Sequence, residues 1–451
     1  SVKWKSNWSK GKWTQNPYKA MKKTILVLIA TLLAFPMTST HAAEQPIKVM
    51  SRNLYLGADV GVALAKIPNM PAAAQFMWDQ VQQTDFSKRK KILAEEIRAE
   101  SPDVIGIQEA TVWYCKAHFW SKKTEVFNFT TELLAELDGD YIIAEKNGVT
   151  ANNPGYSIGP IPFLTKVHDP ITFQTLFGQN DADCGFQIGD ALLIKKSLSQ
   201  YVNQVGNSEY KAVYKVVPTL MEIYRGYSWA DITVQGTNVR FVTTHLESLW
   251  DENEVPNAAK QVQQLIADLK NTKNPIVIMG DFNSDPRDPR IKDDPNAGGQ
   301  PTASAACPGG TSVCNAYLLM SEAGFTDVGP NALDPINNTW GMNALLTGPD
   351  PDRLKYSRQI GNFAGYSDRL DYIFVRNGAS AVASQLIGAL PPNNLNSDHA
   401  GIVSLIRIDS QVTERSADLP GHAPFPISFW QWVGIALAVL IIGFTIKKRF
   451  K

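Results

Sequence analysis

The chain has 451 residues, of which 44% are hydrophobic, 10% aromatic and 19% charged. This composition belongs to a folded protein and excludes a disordered tail, a collagen or a coiled coil; the length allows two or three domains, or one large domain with insertions. Lys+Arg and Asp+Glu are both 43, but residues 1–43 carry seven Lys and no acid and the last five residues carry four basic groups, so residues 44–446 hold 32 basic against 43 acidic, a net of −11. A body that acidic is poorly suited to gripping nucleic acid through phosphate contacts.

In chain order, Met21-Lys-Lys precedes the apolar run Thr24–Phe35, Pro36 interrupts it, and small and polar residues follow to Ala43. This is the three-part layout of a secretory signal peptide over 21–43, with cleavage expected near Ala42 or Ala43. Residues 1–20 lie upstream and are expected to be a mis-assigned start. Strands are predicted at Ile47–Asn53, Asp103–Glu109, Ala191–Ile194, Val239–His245, Ile276–Met279, Tyr372–Val375 and Gly401–Ile406, from alternation or short apolar runs. Helical spacing predicts helices at Phe86–Glu100, Thr130–Leu137 and Ala258–Leu269. Interleaved strands and helices give an α/β or layered α+β class. Two stretches rich in Pro, Gly and Asn, 145–185 and 285–365, are too long for ordinary connections and are expected to be insertions around a site.

After the body at 44–410, residues 411–427 form a polar, Pro-rich stalk. Ser428–Ile446 follows as 19 uncharged residues with Trp430 and Trp432 near its start and Lys447-Lys-Arg449 after it. Length, aromatic belt and basic stop predict a transmembrane helix with the tail 447–451 in the cytoplasm. The segment is either a retained anchor or a sorting signal removed after export. Export implies an oxidising compartment, where four cysteines allow three pairings. Cys307 and Cys314 flank a Pro-Gly-Gly turn and suggest a local bridge, which leaves Cys115 with Cys184. Zinc is disfavoured, since no CxxC spacing or interleaved His is present.

Polar residues collect at the strand ends: Asn53, Glu109, His245, Asp281 with Asn283, Asp371, and Asp398 with His399. A lone Asn or Asp there is ordinarily a turn residue, but the set as a whole suits one chemistry. Glu109, Asn53 and Asp398 offer hard oxygen ligands and no thiolate, which favours Mg²⁺ or Mn²⁺. His399, beside an acid, can take a proton from water near neutral pH.

The ordered set Asn53, Gln108-Glu109, Thr244-His245-Leu246, Gly280-Asp281-Phe282-Asn283, Arg369-Leu370-Asp371-Tyr372 and Ser397-Asp398-His399 resembles the endonuclease/exonuclease/phosphatase superfamily, which includes pancreatic-type deoxyribonuclease, apurinic endonucleases, inositol polyphosphate phosphatases and sphingomyelinases. The resemblance covers about residues 46–408. It implies a four-layered α/β sandwich, two mainly antiparallel sheets flanked by helices. It also implies that Glu109 and Asn53 hold the divalent metal, with Asp398 completing that site or a second one. In the same reading His399 is the general base and Asp371 orients it. Asp281 and Asn283 position the water and a phosphoryl oxygen, and His245 stabilises the transition state or protonates the leaving oxygen. The expected activity is phosphoester hydrolysis at an extracytoplasmic membrane surface by a monomer. A lipid phosphodiester of the sphingomyelinase or phospholipase C type is the first substrate, reached through Trp113, Tyr114, Phe119, Trp120, Trp340 and Tyr366 unless these are core. A surface nuclease is the alternative, and a binding module without turnover the third reading.

Overall fold

Strands with both faces covered read as near-continuous apolar runs, whereas alternation marks a strand with one wet face. Ile276–Asp281 is of the first kind. Val277 and Met279 join a core that also contains Val49, Leu192, Phe241 and Ile406, while Ile276 and Ile278 pack with Val262, Leu265 and Leu269 of the helix Asn257–Leu269. A computed structural model of the chain describes residues 46–409 apart from 119, 161–164, 218–220, 250–254, 288–313, 342–350 and 389–395.

The strands that matter below are β1 (Ile47–Asn53), β2 (Val104–Lys116), β3 (Asp181–Lys195), β4 (Gly226–Val234), β5 (Thr237–His245), β6 (Ile276–Asp281), β7 (Asp371–Arg376), β8 (Ala379–Ile387) and β9 (Gly401–Ile408). Among the described residues one large sheet runs Tyr214–Val217, Met221–Ile223, Asn152–Pro160, β3, β2, β1, β9, β8. The other runs Val202–Glu209, β4, β5, β6, β7, Thr326–Asp327. Neighbours along both paths are antiparallel except β1 with β2 and β5 with β6. The sheets face each other across the first core. Helix Phe86–Glu100 lays Phe86, Leu93, Ala94 and Ile97 on the outer face of one sheet, and helix Asn257–Leu269 covers the other. This is a mixed α/β sandwich of two sheets with helices outside, as expected. The sheets come close enough that Gly106 leaves no room for a Cβ, which would stand 2.8 Å from Met279 Cβ. β1 and β9 pair antiparallel from Ile47 with Ile406 to Ser51 with Ile402. Residues 47 and 408 therefore lie at one end of the sandwich, and Asn53 and His399 at the other.

Three expectations need correction. The strand expected to end at Glu109 continues to Lys116, because the β2–β3 register slips between Ile107 and Ala110 and Glu109 stands in that bulge with φ of 54°. Residues 145–185 are not a loop: they contain the strands Asn152–Pro160 and Thr165–His168, a helix Thr172–Phe177 and the start of β3. Trp113 and Tyr366 are buried, Trp113 edge-on to Trp78 and beside Phe186, so neither is available to a lipid. Of the other aromatics, Trp120 is exposed, and Phe119 lies outside the described residues.

Cys115 and Cys184 form the expected disulfide, cross-strand partners in β2 and β3. Cys314 is also disulfide-bonded; Cys307 lies outside the described residues, as do the segments 21–43 and 428–446. No helix among the described residues is long and apolar enough to cross a membrane.

Candidate active site

Strand register builds half of the site. β5, β6 and β7 are neighbours, and His245 is paired with Asp281 and Asp281 with Asp371. Three functional side chains thus stand in a row at one sheet end. The facing sheet supplies Asn53 at the end of β1 and Glu109 from the bulge in β2. A bulge re-aims a side chain that regular alternation would send elsewhere. Here Gln108 points inward and donates to Thr243 Oγ1 (3.0 Å), while Glu109 turns into the site and accepts from Leu56 N (2.5 Å). Asp398 and His399 precede β9 and are held by the 339–340 segment, where Ala400 N donates to Thr339 O (2.7 Å) and Trp340 Nε1 donates to Asp398 Oδ2 (3.2 Å). Arg52 donates to His399 O (2.5 Å) and pairs with Glu96 (2.8 Å).

Asp281 Oδ2 is the hub. Asn53 Nδ2 donates to it (3.1 Å), His245 Nε2 lies at 3.5 Å and His399 Nε2 at 3.6 Å. Asn283, at φ 45°, donates its N–H to Asp281 Oδ1 (2.9 Å) and its amide to Leu246 O (2.8 Å). His399 Nδ1 donates to Asp371 Oδ2 (2.8 Å), which leaves Nε2 as the acceptor of the neutral ring and points it toward Asp281. The sequence-derived residues therefore converge. Asn53 does so with its amide nitrogen, 3.3 Å from Glu109 Oε1, because its oxygen accepts from Tyr55 N (2.8 Å). Metal ligation by Asn53 requires that amide to be turned over.

The charges are unevenly offset. Burial raises Asp281 to about 7, with Asp371 and Glu109 adding to the effect against His399 and the Asn283 N–H. Burial and Glu109 raise Asp398 to about 6 against the pull of His399. For His399 burial works downward, but Asp371, Asp398 and Asp281 outweigh it and raise the ring to about 10. Asp398 Oδ1 and Asp371 Oδ1 are buried without a hydrogen-bond partner among the described residues. The orphaned Asp398 oxygen, with the Glu109 carboxylate near enough to raise Asp398, gives a hard donor set that fits a Mg²⁺-like cation. Asp281, Asp371 and His399 also bring ligand atoms within 4.8 Å of one another and could hold an ion. The Asp371–His399 hydrogen bond already uses one ring nitrogen, so that trio is better suited to handling water.

These shifts carry a stability prediction with a defined sign. Without a cation, folded His399 keeps its proton to about 10, while the unfolded chain loses it near 6.5. The folded state holds the extra proton across that window, so stability falls as pH rises through it, by up to about 1.4 kcal/mol per pH unit for one proton. Asp281 and Asp398, both raised, act in the same direction at lower pH. The melting temperature of chelator-treated protein is expected to be lower at pH 9 than at pH 6.5, with the gap narrowing when Mn²⁺ is added. A chelated protein that becomes more stable over that interval contradicts this electrostatic picture.

Arg225, Glu247 and Asp190 escaped the sequence reading, and Trp340 enters it only as a lipid-facing aromatic. Arg225 Nη1 lies 3.0 Å from His245 Nδ1, and Arg225 Nε pairs with Glu247 (3.2 Å). Guanidinium has no lone pair to offer, so His245 Nδ1 accepts and Nε2 carries the hydrogen. Burial, Arg225 and His399 together hold His245 well below the ordinary histidine range. It is a neutral donor. Trp340 serves the site by holding Asp398 instead of facing a lipid. Asp190 is buried on β3 opposite the Glu109 bulge, raised well above the carboxylate range by burial, with Asp281 and Glu109 adding to that against Arg225. Arg225 had a legible signal, its place just before the alternating run Tyr227, Trp229, Asp231, which was not read as a strand.

Residues 80–399 match the family model described as Endonuclease/Exonuclease/phosphatase family. A search of curated proteins gives no match. Among solved structures, an endonuclease/exonuclease/phosphatase from Bacteroides vulgatus is 14% identical, covering 80% of this chain and 99% of that one at a TM-score of 0.42. One from Beutenbergia cavernae is 17% identical over 81% and 72% of the two chains, at 0.45. A mannosyl-6-phosphatase from Bacteroides thetaiotaomicron is 13% identical over 80% and 100%, at 0.40.

Proposed function

We propose, on the premise that this chain belongs to the endonuclease/exonuclease/phosphatase family, that it is an exported, divalent-cation-dependent phosphodiesterase that hydrolyses its ester with a His399-activated water. The observation that carries this reading is the 2.8 Å bond from His399 Nδ1 to Asp371, with Nε2 facing Asp281. Asp371 holds the tautomer whose Nε2 can accept a proton in the cation-loaded site, where the added positive charge would offset the carboxylates that otherwise keep the ring protonated. Asp281 and Asn283 border the space where the water and a phosphoryl oxygen would sit. His245, fixed as a neutral Nε2–H donor by Arg225, supports the developing negative charge as a hydrogen-bond donor; of its two expected roles, protonating the leaving oxygen is the one this geometry disfavours. Glu109 and Asp398 are the residues that would hold the cation. When bound, Mg²⁺ or Mn²⁺ supplies Lewis-acid stabilisation of the phosphoryl oxygens.

The substrate proposed is a lipid phosphodiester of the sphingomyelin or phosphatidylcholine type. The acidic body supports it by disfavouring polyanions, and so does the membrane attachment expected from residues 428–446. The buried Trp113 and Tyr366 lend it no support. The test is a panel of sphingomyelin, phosphatidylcholine, plasmid DNA and a chromogenic phosphodiester, each with Mg²⁺ or chelator. Metal-dependent release of phosphocholine is the expected result. Cleavage of DNA alone replaces the lipid reading with a nuclease, and no turnover on any of the four leaves a binding module.

A further inference from the structure

Arg89, in the first turn of the helix Phe86–Glu100, is 2% exposed. Its guanidinium donates only to backbone carbonyls: Nε to Thr84 O (3.1 Å), Nη1 to Leu54 O (2.6 Å) and Asn396 O (3.1 Å), and Nη2 to Tyr55 O (3.0 Å). The rings of Tyr55, Phe86 and Phe129 surround it, with centroids 5.3, 5.0 and 5.7 Å from Cζ. Among the described residues it forms no ion pair with a carboxylate. A buried charge without a counterion is costly and persists only where its full set of hydrogen bonds is made. The segments it joins are informative. Leu54 and Tyr55 follow Asn53 directly, Leu56 N is the donor to Glu109, and Asn396 lies two residues before Asp398. One rigid fork therefore spans the two backbone segments between which the hard oxygen ligands meet, and Lys cannot reproduce that geometry.

We propose that Arg89 is a positioning residue that sets the divalent-cation affinity of the site by fixing the separation between the 54–56 segment and the 396–399 segment. The proposal rests on Glu109 and Asp398 being the cation ligands. It also assigns the fork, not the charge, as what the cation depends on.

The experiment is Mn²⁺ binding without substrate, followed by electron paramagnetic resonance of the free ion, together with the melting temperature of each protein. The proteins are wild type, Glu109→Gln, Arg89→Lys, Arg89→Met and Phe86→Leu. Arg89→Lys keeps the charge and loses the fork, and it is expected to bind Mn²⁺ at least about 10-fold more weakly, the lower bound for loss of a supporting group at a metal site. Arg89→Met, where it folds, is expected to do the same. Phe86→Leu loosens the packing around the guanidinium and is expected to lower the melting temperature with Mn²⁺ affinity within about 2-fold of wild type, a shift too small to count as lost support. Wild-type affinity in Arg89→Lys, or tighter binding in Arg89→Met, overturns the proposal while leaving the ligand assignment intact. Equal loss of affinity in Phe86→Leu also overturns it, since general loosening would then suffice. A wild type that takes up no Mn²⁺, or a Glu109→Gln that binds as well as wild type, overturns the ligand assignment and this proposal with it.

Discussion

Replacing His399 with Ala is expected to lower kcat by about 10²–10⁴-fold, the range for losing a general base. The reason is positional. Nδ1 is committed to Asp371 at 2.8 Å, Nε2 faces Asp281 at 3.6 Å, and among the described histidines only His245 shares this pocket. His245 cannot substitute, because its Nδ1 is occupied by Arg225 and its Nε2 bears hydrogen. The truncation should leave the segment in place, since Arg52 and the 339–340 segment hold backbone atoms of 399 and 400 and not the imidazole. The measurement is kcat and its pH profile with saturating Mg²⁺. The variant should lose the limb that reports deprotonation of the base; retention of near-wild-type turnover would remove His399 from the mechanism.

Glu109→Gln should have the second large effect. The substitution keeps the shape, and the Leu56 N–H still has an oxygen to reach, but a negative ligand is lost from a site whose remaining hard donor nearby is Asp398. Loss of a mere supporting group at a metal site costs about 10–100-fold in affinity, and loss of a ligand should exceed it. The expected outcome is a rise of more than 100-fold in the Mg²⁺ concentration for half-maximal turnover. An unchanged metal requirement would move the cation to the Asp281, Asp371 and His399 trio, whose ligand atoms also approach one another.

The parts of this site that were legible share one property: each polar residue terminates an apolar run. Asp281 and Asp371 stand out because β6 and β7 are apolar and buried on both faces, so a charged side chain marks an end of the strand, while His245 closes a β5 whose one interior charge, Arg240, is paired with Asp231. β4 was missed because it carries Asp231, a buried acid that looks like a surface residue in sequence. It is satisfied by Arg240 on the neighbouring strand, with bonds of 2.7 and 2.6 Å, and that partnership has no local signature. Arg225 was lost along with it. The Glu109 bulge is likewise a fact about two strands, since two residues of β2 answer to one pairing step of β3. Arg89 sits among Lys88, Lys90 and Lys91 in a run that reads as a solvated face. Only tertiary structure separates the one inward cation from its three neighbours. The helix Met70–Thr84 is not among the predicted ones: its Asn69 cap and Pro71 are local signals, but the stretch is too rich in Ala and Gln to show a clear apolar stripe.

The direction of the first and last strands has a consequence for what the enzyme can meet. The polypeptide enters and leaves by the base of the sandwich, while the catalytic mouth opens at the opposite pole, a strand's length of roughly 25 Å away. Anything joined to the chain at that base, a fusion partner or a solid support, is therefore expected to leave the mouth open and turnover intact.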